Sequence, residues 1–197
     1  MVTVALLVLL AAGKSENDFS MEASLRMTRG EYEEAATALA DCVKRYPKSL
    51  VCLKLRGDVA YERGKKNPAE FELARASWLE FLHVAPWRHP AHDEVASRVA
   101  ALDVDPSVSE GQLQKANELR KAKDLEGAVK VLNECVARAP AFHPCWRTLG
   151  SVYAAMSNPK GDVKLREKSQ AAYKKFLEVA PTKDKYFEQV RTMFDLE

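Results

Sequence analysis

From about residue 16 onward, apolar residues return every three or four positions, the repeat of one helical face. Ala35, Leu39 and Cys42 show it, as do Ala128, Leu132 and Cys135. Alternating strand-like patterning is scarce. The pattern predicts helices over about 18–28, 32–45, 50–63, 69–84 and 91–102, then over 110–121, 125–138, 144–156, 162–179 and 183–194. Prolines punctuate this reading: Pro47, Pro86, Pro140 and Pro181 each follow an expected helix end, where the missing N–H stops the ladder. Ser107 and Glu110 have capping-box spacing, so a helix is expected to start there. Asp103-Val104-Asp105-Pro106 reads as a boundary.

The second half of this pattern repeats the first. Ala35, Leu39, Cys42, Val43, Pro47, Cys52, Gly57 and Val59 return as Ala128, Leu132, Cys135, Val136, Pro140, Cys145, Gly150 and Val152. The offset is constant, since 135 − 42 and 145 − 52 are both 93. One module is therefore used twice. Nine residues separate Cys42 from Cys52 and Cys135 from Cys145. Cysteines paired at equivalent points of both copies suggest two disulfides and an oxidising compartment. Four reduced, buried thiols acting as small apolar residues are the alternative.

Trp146, Leu149, Gly150 and Tyr153 have the spacing of a first-helix signature, and here the chain resembles the tetratricopeptide repeat family. Ser169, Tyr173, Phe176, Leu177 and Pro181 fall at the matching second-helix positions. Gly57, Ala74, Trp78, Phe81, Leu82 and Pro86 do so in the first copy. Gly30 to Ala35 and Asp124 to Ala128 supply the remaining turns. The resemblance covers roughly residues 17–196. It implies an all-α solenoid of antiparallel helix pairs, in two duplicated halves of two repeats each plus a closing helix. The expected division is a segment 1–14, a first half 15–104 and a second half 105–197. Extra residues at 65–71 and 158–164 depart from the family's turns and should bulge them or lengthen the second helices. In the family register each cysteine pair spans the turn from one repeat to the next.

The resemblance also implies that first helices line a concave binding surface. Carried over position by position, that surface includes Ser24, Lys54, Asp58, Tyr61, Asn117, Arg120, Arg147 and Ser151. Some members grip a C-terminal carboxylate with Lys, Asn and Arg at fixed positions. Here Asp58 stands where Asn is required and Leu113 where Lys is, so that clamp is not reproduced.

Charge narrows the partners. A formal net charge of +2 creates no global field for nucleic acid or acidic lipid. The late lysines and arginines, such as Lys164, Arg166 and Lys168, are interrupted by acids and read as a solvated helix face. His89 and His92 flank Pro90 and Ala91 and read as an exposed loop and helix start. No catalytic triad pattern, phosphate loop or zinc-ligand spacing is found in the sequence, so neither an enzyme nor a cofactor or metal site is expected.

Residues 2–12 form an uncharged apolar run of signal-peptide length, too short for a spanning helix. A basic residue before the run is missing. Ala11, Ala12 and Gly13 provide small residues for cleavage, and Lys14 stands where a bacterial lipoprotein would carry its lipid-bearing Cys. Cleavable signal, membrane-associating segment and packed apolar helix stay open. The reading as a whole is a non-catalytic scaffold or adaptor, exported to the periplasm or envelope, that binds a peptide or protein partner. The alternative is a cytoplasmic chaperone or regulatory module of the same fold with reduced cysteines.

Overall fold

Ser15 opens the first helix with a reciprocal cap: its hydroxyl accepts from the Asp18 amide (3.2 Å), and the Asp18 carboxylate accepts from the Ser15 amide (2.8 Å). The same economy recurs along the chain. Ser49, Asp124 and Asp162 accept from the amides of Cys52, Gly127 and Leu165, satisfying otherwise orphaned donors at helix starts. The computed structural model describes residues 13–102, 106–158 and 161–194. Among these residues all regular structure is helical: α1 Glu16–Thr28, α2 Tyr32–Arg45, α3 Leu50–Gly64, α4 Glu70–Val84, α5 His92–Ala101, α6 Pro106–Lys121, α7 Leu125–Arg138, α8 His143–Ser157, α9 Val163–Val179 and α10 Phe187–Arg191. The expectations for residues 2–12 lie outside the described residues.

The chain forms two compact units, Met1–Val84 and Ala85–Glu197. In the first, α1 pairs with α2 and α3 with α4, while α2 and α1 also pack on α3. Phe19, Ala23, Ala35, Leu39, Cys42, Cys52 and Val59 form a buried cluster there. In the second, α6 pairs with α7 and α8 with α9, with α7 and α6 against α8 and α10 against α9. Its cores are Ala128, Leu132, Cys135, Cys145, Leu149 and neighbours, and a second group of Phe176, Ala180, Phe187 and Val190. Each unit is thus a stack of helix pairs, the all-α arrangement expected.

Four features differ from the sequence reading. The division falls after Val84 rather than after residue 104, because the segment from Ala85 joins the second unit. His92 Nε2 lies 2.9 Å from the Glu178 carbonyl oxygen at the end of α9. Asp93 accepts from the Thr182 amide (2.9 Å) and hydroxyl (2.7 Å). His92 is accordingly buried, not exposed on a loop. The helix expected at 110 begins instead at Pro106. Proline's fixed φ suits a first helical turn, so Ser107 lies inside the helix rather than ahead of it. The last helix is five residues long instead of spanning 183–194. The Asp184 carboxylate accepts from the Tyr186 amide at 2.8 Å, which holds a turn and delays the helix to Phe187.

One helix pair in each unit, α3–α4 and α8–α9, relies on a glycine facing an aromatic ring. A Cβ on Gly57 would sit 2.2 Å from Trp78 Cδ1 and Nε1, and one on Gly150 would sit 2.8 Å from Tyr173 Cδ1. Trp78 is fully buried, whereas Tyr173 is half-buried. A Gly57→Ala change gains roughly 1 kcal/mol in helix propensity, but overpacking against an immobile ring costs about 1–3 kcal/mol. Thermal unfolding of Gly57→Ala should show a net loss of stability that exceeds the loss in Gly150→Ala, where the ring has room to yield.

Candidate functional site

Both cysteine brackets close within the structure. Cys42 on α2 is bonded to Cys52 on α3 with Cα atoms 6.2 Å apart, and Cys135 on α7 to Cys145 on α8 with Cα atoms 6.4 Å apart. All four are fully buried. Each bridge ties the second helix of one pair to the first helix of the next, where the turn and the Ser49 cap already fix the geometry in the first unit. The bridges therefore restrain the stacking of helix pairs and carry no exposed sulfur for redox exchange.

The remaining candidates fall into two groups of different character. In the first unit, Lys54 and Asp58 stand one turn apart on α3 and bond to each other, Nζ to Oδ2 at 2.9 Å. The other carboxylate oxygen of Asp58 accepts from Trp78 Nε1 at 3.1 Å. Tyr61, a further turn along, packs its ring 5.7 Å from Trp78 and 5.5 Å from Phe71. All three are half-buried. Spacings of four and three residues bring them together along α3, yet much of their capacity is spent on one another and on anchoring α4. Ser24 is exposed on α1.

In the second unit the equivalent positions are Arg147 and Ser151 on α8, joined by Asn117 and Arg120 on α6. The Arg147 guanidinium stacks on the Tyr186 ring, with its carbon 3.8 Å from the ring centroid. Lys185 lies 4.8 Å from that same centroid. The Ser151 side chain stands beside the Tyr173 hydroxyl. Burial pushes the Tyr173 hydroxyl above its ordinary pKa, opposed by the nearby Ser151 side chain and by the positive charges of Arg147 and Arg120. Both arginines thus act on one tyrosine from different helices. Arg120 is exposed and Asn117 half-buried. Among the described residues, neither arginine forms an ion pair.

Three participants were not singled out by sequence reasoning. Tyr173 stands in the sequence only as a second-helix position of the family register, the counterpart of Trp78. Tyr186 and the pair His143–Asp184 carried no signal, because the turn that brings 184–186 to α8 has no recognisable motif. His143 Nε2 lies 3.2 Å from Asp184 Oδ2. Burial nevertheless lowers the His143 pKa: Asp184 pulls it up, but desolvation, with help from the Arg147 charge, outweighs that pull.

Among the described residues no group of three or more His, Cys, Asp or Glu is placed to hold a metal ion. None of the described helices is long and apolar enough to cross a membrane.

Against known proteins, a family model described as tetratricopeptide repeat matches residues 21–49, within one of the four expected repeats. A comparison with curated proteins finds no match. Among solved structures the chain is similar to MamA residues 41 to the end from Desulfovibrio magneticus RS-1, at 22% identity over 94% of this chain and 88% of that one, with a TM-score of 0.36. It is similar to a thermophilic TPR protein of Thermus thermophilus at 16% identity over 92% and 98%, TM-score 0.36. It is also similar to YrrB, titled a TPR protein with an unusual peptide-binding site, at 14% identity over 97% and 98%, TM-score 0.36.

The depressed His143 pKa has a sign. Folded His143 resists a proton that the unfolded chain accepts, so stability is full above the ordinary imidazole value of 6.5 and falls as pH drops below it. Urea midpoints measured from pH 7.5 downward should fall less steeply in His143→Gln than in the parent chain over that interval.

Proposed function

We propose that this chain is a non-catalytic interaction scaffold of the cell envelope that binds a peptide or partner protein on the first helices of its repeats. The observation that carries the reading is the α6–α8 face. There Arg120, Arg147 and Ser151 present donors and cations beside Tyr173 and Tyr186, with Asn117 one turn before Arg120 on α6. Arginine and tyrosine are suited to anchoring a partner, since they offer several donors and a large contact area at modest entropic cost. Helix-pair stacks in general serve protein recognition through extended surfaces, and the tetratricopeptide-repeat match at residues 21–49 supports that class. On this reading Lys54, Asp58 and Tyr61 contribute a smaller, stiffer face in the first unit.

Envelope location is supported by the cysteines. Four fully buried sulfurs paired within adjacent helices are placed for disulfides, which persist in oxidising compartments. In the chain-entropy account each bridge contributes up to about 3 kcal/mol, less where the turn is already stiff. The cytoplasmic reading with reduced thiols has no comparable support from the geometry.

Two outcomes test these statements. A displayed random-peptide library panned on the full chain should enrich ligands, and alanine at Arg120 and Arg147, with a smaller effect from Lys54 and Tyr61, should remove the enrichment. Unchanged enrichment in all four variants overturns the binding surface. Intact-mass analysis of chain purified from its native cells, after alkylation without reductant, should show no alkylated cysteine. Four alkylated thiols would overturn the oxidising location.

A further inference from the structure

The two copies of the duplicated module provide an internal control on what their faces have become. At equivalent positions, 93 residues apart, the first copy carries Lys54 and Asp58 and the second Arg147 and Ser151. In the first, the cation one turn before the aspartate is neutralised by it at 2.9 Å, and the same aspartate holds the buried Trp78 ring. In the second, serine replaces the carboxylate, and the aromatic partner is a tyrosine whose hydroxyl lies beside that serine. The positive charge at 147 is left without an internal counter-ion among the described residues. A second cation, Arg120, is added from α6, where the first copy has the apolar Met27. Lys185 adds a third beside Tyr186. Asp184, the carboxylate in the adjoining turn, is occupied by His143 and by the Tyr186 amide.

Building on the binding surface proposed above, we propose that the α6–α8 face of the second unit is a site for an acidic peptide segment. The segment's Asp and Glu side chains would meet Arg120, Arg147 and Lys185, while its backbone packs across Tyr173 and Tyr186. Charge complementarity selects this occupant. Cations held apart on two helices and a turn, by two rings, match carboxylates spaced along an extended chain. A single terminal carboxylate needs donors that converge on one point, and Leu113 stands where such a cage requires a cation. The first copy has lost the same capacity because Asp58 supplies the carboxylate internally. The duplication therefore ends in one self-neutralised face and one receptive face.

Fluorescence anisotropy on the full chain tests this with a labelled peptide of alternating Glu, Gly, Asp and Ser, amidated at its C-terminus. Its Gln/Asn counterpart, a neutral peptide with a free terminal carboxylate, and a labelled oligothymidylate serve as competing probes. The acidic peptide should bind with an affinity that falls as salt rises. Arg120→Gln, an exposed change that leaves the packing intact, should weaken it by about tenfold. Ser151→Asp, which recreates at Arg147 the ion pair of the first copy, should weaken it at least as much. Lys130→Gln, an equal loss of charge on the exposed side of α7, should leave it unchanged. Circular dichroism should show that all three variants are folded. The proposal is overturned if the Gln/Asn peptide binds equally, or if only the free-carboxylate peptide binds. Tighter binding of the oligothymidylate, or an equal loss in Lys130→Gln, would also overturn it. If the acidic peptide fails while displayed peptides still enrich through Arg120 and Arg147, the acidic specificity falls and the binding surface stands.

Discussion

The contact of a bare glycine backbone with an aromatic ring sets the distance at which one helix pair of each unit packs, α3 on α4 and α8 on α9. Gly57 lets Trp78 reach α3, and Gly150 lets Tyr173 reach α8. A methyl group at either place would have to occupy the volume of the ring. The pair's depth, and hence which side-chain atoms beyond the ring are reached, follows from that approach. With Trp78, the indole N–H arrives at Asp58 and the carboxylate is drawn into the packing. With Tyr173, the phenol arrives at Ser151 and stays half-exposed beside two arginines. One packing rule has produced a structural polar link in one copy and a potential recognition surface in the other.

The disulfides act one level above this. The glycine–aromatic contact joins the two helices of a pair, while Cys42–Cys52 and Cys135–Cys145 join one pair to the next. In a stack where each element touches only its neighbours, that junction is where flexing would accumulate. Stapling it keeps α6 and α8 in register in the second unit. Arg120 and Arg147 come from those two helices, so their separation is fixed by the α7–α8 bridge and the core around it rather than by a contact between the arginines. Preorganisation of this kind lowers the ordering cost of binding, because the cations are already in place.

Much of this was legible in the sequence, for identifiable reasons. Helical periodicity, the four helix-ending prolines and the constant offset between copies fixed the helices and their pairing. The cysteine spacing put each pair across one turn, and those turns lie between α2 and α3 and between α7 and α8. Apart from the helix that Pro106 starts early, the misses share a physical origin: they are hydrogen bonds whose partners are distant in sequence or have no motif. His92 read as exposed, since nothing local announces an acceptor eighty-six residues away at Glu178. The short α10 and the Asp184 turn were invisible, and with them Tyr186, whose ring orients Arg147. The candidate surface was therefore found as a set of first-helix positions, but the difference in state between its two halves required the side-chain partners.

That difference bears on why a duplicated module would keep both copies. A carboxylate one turn beyond a cation, as in Lys54–Asp58, adds little stability when exposed. Half-buried and bonded to an indole N–H, it becomes part of how α3 holds α4, and replacing it would remove that hydrogen bond. The first copy is thereby committed to structure at this position. In the second copy a tyrosine hydroxyl can satisfy its hydrogen bonding with a neutral serine and with solvent, so no carboxylate is required for packing. Exchange of the indole for a phenol at the ring position is what frees the neighbouring residue from structural duty and leaves the arginine charge available to a ligand.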